Sequence, residues 1–121
     1  MSTPVNALPV GTVVVAKYTY GLEILHYKFF AIVGYTAKKV RIQELDALTT
    51  YDDGREGPHY YDDPKHIQPV VDTQGRAYPI GGSKLVNYKI SEEGKMSFKP
   101  EEFYRFNGVW NGKPLEVYNL H

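Results

Sequence analysis

The chain has 121 residues, with 14 basic and 14 acidic side chains and no cysteine. That length suits a single domain over residues 1–121 with one modest core, and 42% hydrophobic against 23% charged residues excludes intrinsic disorder. Disulfides and thiolate metal sites are excluded, and with no leader in residues 1–9 and no run near the roughly 18 apolar residues of a membrane span, a soluble protein without membrane contact is expected, compatible with an intracellular setting.

Residues 1–10 read as a flexible N-terminal segment. Val13-Val14-Val15 then opens a β-branched run that reaches Tyr20 and is stopped by Gly21. In residues 26–35, Tyr27, Phe29, Val33 and Tyr35 recur at period two, while Phe30 and Ile32 make the opposite face apolar as well. Such a strand needs cover on both faces, as in the centre of a small barrel. After a connection at residues 36–38, Val40 and Ile42 alternate with Lys39, Arg41 and Gln43, the pattern of a half-exposed strand. A three-stranded antiparallel meander accounts for all three segments.

Residues 49–69 contain Gly54, Gly57, Pro58, Pro64 and Pro69 without sustained periodicity and read as one long acidic loop. Asp72-Thr73-Gln74-Gly75 is a turn signal, and Val86, Tyr88 and Ile90 alternate with Asn87 and Lys89 as a strand. Glu92-Glu93-Gly94-Lys95 turns that strand into a hairpin with Met96-Ser97-Phe98. Pro100-Glu101-Glu102, with Phe103 and Phe106 three residues apart and Gly108 as a stop, predicts one short helix. Asn111-Gly112 is a turn, and residues 115–118 form a terminal strand that closes the sheet. The fold expected is all-β and mainly antiparallel, a small β-meander or SH3-like partly open barrel with one short helix and one long loop. Trp110, Gly112 and Gly21 are assigned structural roles: an indole filling the core or covering a barrel end, and glycines turning the chain.

Zero net charge conceals an asymmetry. Residues 44–63 hold seven acids against Arg55 alone, a net of −6, so the rest carries +6. This polarity favours a basic partner at one site and an anion at another. In the acidic loop, Tyr51, Asp52, Asp53, Tyr60, Tyr61, Asp62 and Asp63 form the candidate partner-binding set, because tyrosine supplies large contact area at low entropic cost. Lys38, Lys39, Arg41, Lys84 and Lys113, with nearby aromatics, form an alternative anion-binding set for a small nucleotide or single-stranded nucleic acid.

His59, His66 and Asp62 offer divalent-metal donors, which carries a third reading, a metal-dependent phosphoesterase; no other cofactor is expected. No catalytic set emerges. Ser83, Ser91 and Ser97 lack the glycine-flanked elbow of a nucleophile, and adjacent Asp62 and Asp63 point apart on an extended backbone.

The block Tyr20-Gly21, Phe29-Phe30-Ala31-Ile32-Val33, Thr36-Ala37-Lys38-Lys39-Val40 and Gln43-Glu44-Leu45, with Trp110-Asn111-Gly112-Lys113-Pro114 near the end, resembles a family of small uncharacterised bacteriophage and mobile-element proteins. The two blocks cover about 40 of the 121 residues in the family's order. Leu22-Glu23-Ile24-Leu25-His26 departs from it, being mostly apolar where the family places a tyrosine and a short polar run. The resemblance implies a phage-related accessory protein with a small β-rich fold and carries no activity to transfer; the leading expectation is a non-enzymatic binding protein in a bacterial host's cytoplasm. Joined to the residue reading, it suggests inhibition of a host defence or regulatory protein through the acidic Tyr-rich loop, with homo-oligomerisation left open.

Overall fold

The β-branched and aromatic residues near the N-terminus form three consecutive antiparallel strands, β1 (Val13–Tyr20), β2 (Glu23–Tyr35) and β3 (Lys39–Leu45). They belong to a computed structural model that describes residues 4–21, 23–51 and 65–117. Further along lie β4 (Ala47–Tyr51), β5 (Lys65–Pro69), β6 (Lys84–Ile90), β7 (Met96–Phe98), β8 (Tyr104–Val109) and β9 (Leu115–Val117). Strands β7-β6-β3-β2-β1-β8, in that order, make a six-stranded antiparallel sheet that curls into a nearly closed barrel. Strands β4-β5-β9 make a smaller sheet.

The two-sided apolar pattern of β2 has a direct structural counterpart. Phe30 and Ile32 face the barrel interior with Val14, Ala16, Val40, Ile42, Met96 and Phe98. Tyr27 and Phe29 face outward into a second cluster with Val15, Leu45, Ile67 and Val117, where the smaller sheet covers them. Phe29, Phe30, Ile32, Ile42 and Ile67 are all fully buried, so β2 is sandwiched between two cores.

Tyr35 departs from the expected face. Ile32 pairs with Ile42 and Gly34 with Arg41, so Val33 has no partner across the ladder. This bulge reverses the alternation: Val33 is left 43% exposed and Tyr35 turns into the barrel interior. There its hydroxyl donates to the Leu8 carbonyl at 2.6 Å. The N-terminal segment expected to be flexible is tied down at that point, with Ala7 and Leu8 packed on the interior cluster.

Three further expectations are corrected. The short helix at residues 100–106 is absent: the Tyr104 amide donates to the Glu101 carbonyl at 3.1 Å to close a turn, and the chain continues as β8. Tyr104 and Phe106 alternate inward against exposed Arg105 and Asn107, a period-two pattern that pairs with the free edge of β1 and outweighs the helix-start signal. The loop at residues 49–69 is strand at both ends. Thr49 pairs with Ile67 and Tyr51 with Lys65, while Pro69, which lacks an N–H, ends β5. The terminal strand joins β5 in the smaller sheet rather than closing the barrel. No helix among the described residues is long and apolar enough to cross a membrane.

Candidate functional site

Once the smaller sheet has covered the outer face around Tyr27, Phe29 and Leu45, the outer face of β3, β6, β7 and β8 remains open. Alternation decides what it carries. Val40 and Ile42 point inward, leaving Lys39 and Arg41 exposed; Val86, Tyr88 and Ile90 point inward, leaving Leu85, Asn87 and Lys89 exposed. The register sets Lys39 opposite Asn87, Arg41 opposite Leu85 and Lys89 opposite Ser97, so these residues share one face.

At the seam between the edge strands β7 and β8 lies an open cavity of about 510 Å³, lined by Asn87, Lys89, Ser97, Lys99 and Arg105 around Phe98 and Phe106. The two rings meet across the seam with centroids 5.0 Å apart. Among the described residues no carboxylate pairs with Lys89, Lys99 or Arg105; the ion pairs found there engage Lys28, His66, Arg76 and Lys95. Three cations around an aromatic floor can hold an anion that also brings an apolar or π surface.

A second, smaller cavity of about 340 Å³ shares Lys99 and Arg105 with the seam and adds Tyr18, Thr19, Glu102, Phe103 and Tyr104. The turn beneath it is anchored on both flanks. Lys28 Nζ donates to Glu101 Oε2 at 2.9 Å and sits 4.7 Å from the centre of the Tyr104 ring, which in turn lies 5.6 Å from Tyr18.

The structure sorts the anion-binding candidates. Lys39 and Arg41 are together on the open face with Lys38 in the adjoining turn, and Arg41 donates to Ser83 Oγ at 3.2 Å. Lys84 is elsewhere: opposite Ile42, it shares the inward parity of β6, and its Nζ lies 5.6 Å from the centre of the Phe30 ring. Lys113 is in the loop after β8, where its carbonyl accepts from Trp110 Nε1 at 2.7 Å. Sequence reasoning missed Lys89, Lys99, Arg105 and Phe103. The alternation of residues 85–90 pointed to Lys89, but the helix reading hid Arg105 and Phe103.

Of the acidic-loop candidates, Tyr51 ends β4 opposite Lys65, while Asp52, Asp53, Tyr60, Tyr61, Asp62 and Asp63 lie outside the described residues. So does His59. His66 Nε2 is 3.3 Å from Glu116 Oε1 across the β5–β9 ladder, and no group of three or more His, Asp or Glu among the described residues could hold a metal ion. Trp110 packs edge-on to Phe29 at 5.8 Å, and Gly21 and Gly112 take φ of +62° and +85° at their turns. Burial, then the nearby charges of Lys65 and Lys28, lowers the His26 pKa; burial, then Tyr88, raises that of Tyr35.

Compared with family models, curated proteins and solved structures, the chain matches none.

Proposed function

We propose that the chain is a binding module for single-stranded nucleic acid, held across the open outer face of the barrel. The observation that carries this reading is the seam cavity, where Lys89, Lys99 and Arg105 surround Phe98 and Phe106 with no carboxylate among its described lining residues. Lys39 and Arg41 extend the positive charge one strand beyond Lys89 on β6, to β3. From β3 to β7 is roughly 10 Å at ordinary strand spacing, and the seam beyond leads on to β8, a track longer than one nucleotide. Phosphates favour such a track because neutralising them releases counterions, and the partly buried Phe106 ring in the cavity lining adds an apolar surface for a base.

The test is fluorescence anisotropy with a labelled oligothymidylate over a salt series. Affinity should fall steeply with salt, and Lys89→Glu with Arg105→Glu should weaken binding at least tenfold and flatten the salt slope. Affinity indifferent to both changes would overturn the proposal.

A second reading, a protein partner met through the acidic Tyr-rich segment, is favoured by the position of β4. Among the described residues it is an edge strand of the smaller sheet, its Leu48 is 50% exposed, and Tyr51 at its end leads into that segment. A basic partner adding a strand on β4 would reach Tyr51, from which the sequence continues into those acids. Capture of such a partner by the wild type but not by a Leu48→Lys variant is the expected result.

A further inference from the structure

We infer that Phe103 is a base-stacking residue of this surface, an inference that rests on the nucleic-acid reading above. Its side chain is 70% exposed, although burying a phenylalanine ring is favourable. Its backbone sits at φ +69°, a left-handed conformation that a bulky residue rarely adopts. Chain geometry at this turn would be met more easily by glycine or asparagine, so neither packing nor local backbone preference accounts for a phenylalanine. The turn is nevertheless well held. Lys28 fixes Glu101 on one side and, with Tyr18, the Tyr104 ring on the other. The ring is therefore presented from a fixed base, which reduces the entropy lost on binding.

Its position gives the ring a use. Phe103 and Tyr104 line the smaller cavity, and Lys99 and Arg105 line that cavity and the seam together. A base lying on Phe103 would have its phosphate within the region of Lys99 and Arg105, with the next nucleotide leading toward Lys89. Stacking is tolerant of base identity because every base has a π face, and it requires a base that is not already paired. The site therefore selects single strands over duplexes and over phosphate chains without bases.

The experiment compares an oligothymidylate of roughly 12 nucleotides, an abasic chain of the same length, the matching duplex and inorganic polyphosphate. Wild type, Phe103→Leu, which keeps apolar bulk, and Phe103→Trp, which keeps a stacking ring, are titrated with each. Phe103→Leu should weaken the oligothymidylate about 5- to 150-fold, the effect of losing one stacked base, and leave the abasic chain and polyphosphate unchanged. Phe103→Trp should restore affinity, with its indole emission quenched as the oligonucleotide binds. Salt-dependent binding of every probe with no loss in Phe103→Leu would overturn the stacking role while sparing the nucleic-acid reading. Failure of the wild type to bind any of the four probes would remove both.

Discussion

Phe98 on β7 and Phe106 on β8 meet with ring centroids 5.0 Å apart, and this contact spans the two edge strands of the six-stranded sheet. The strand order places β7 and β8 at opposite ends, with no ladder between them, so side chains bring the barrel's edges together. Phe98, 7% exposed, should cost about 3 kcal/mol when replaced by alanine. Phe106→Ala should cost less, since Phe106 is only partly buried. A double-mutant cycle read by urea denaturation should give a coupling of about 1 kcal/mol, and strict additivity would mean that the rings do not join the edges.

Tyr35 holds the N-terminal segment through its bond to the Leu8 carbonyl, with Met96 Sδ 3.4 Å from the same hydroxyl. Tyr35→Phe keeps the ring and deletes the bond, and a loss of about 1 kcal/mol is expected. Hydrogen exchange should quicken most at the Leu8 amide, which donates to Met96 Sδ. A uniform change along the chain would place the effect in the core instead.

His26 makes stability depend on pH. Burial first, then Lys65 and Lys28, holds its pKa below the ordinary 6.5. The unfolded chain therefore binds a proton that the folded chain resists. This contribution is complete above about pH 7.5, declines as pH falls through the unfolded value, and levels off below the folded one. The urea midpoint should drop between about pH 7.5 and pH 5.5, and His26→Asn should flatten that slope. An equal slope in the variant would assign it to other groups.

Phe103 also carries a stability prediction. Replacing it by glycine relieves the positive φ and removes little buried surface, so Phe103→Gly should raise the unfolding midpoint by an amount worth roughly 1 kcal/mol. A lower midpoint would show that the ring supports the fold. Gly112→Ala, at φ +85° with nothing near its Cβ position, should cost about 1 kcal/mol through backbone strain alone.

Much of the barrel was legible in residue order. Alternation over residues 13–45 marked β1, β2 and β3, because successive side chains point to opposite faces only on an extended backbone, and the apolar residues on both faces of β2 required the two cores that it received. The β6–β7 hairpin followed from the same logic with a Glu-Glu-Gly-Lys turn. At residues 100–106, proline and two carboxylates are good helix openers, but a helix of one or two turns is marginal, and pairing of Tyr104, Arg105 and Phe106 with β1 outweighs it. The bulge at Val33 was equally hidden: one extra residue reverses every side chain beyond it, and only the β3 register reveals it.

Composition and order sufficed for an all-β antiparallel chain with segregated charge, because strand periodicity and charge are local properties. Which cations share a face was not local. Lys89 and Lys99 come from one hairpin and Arg105 from the strand beyond the next turn, and they surround one cavity because β7 and β8 meet across the seam. Lys84, close to Lys89 in sequence, is turned toward Phe30 by strand parity. The candidate surface thus depends on barrel closure, which is set by side-chain packing between residues far apart along the sheet.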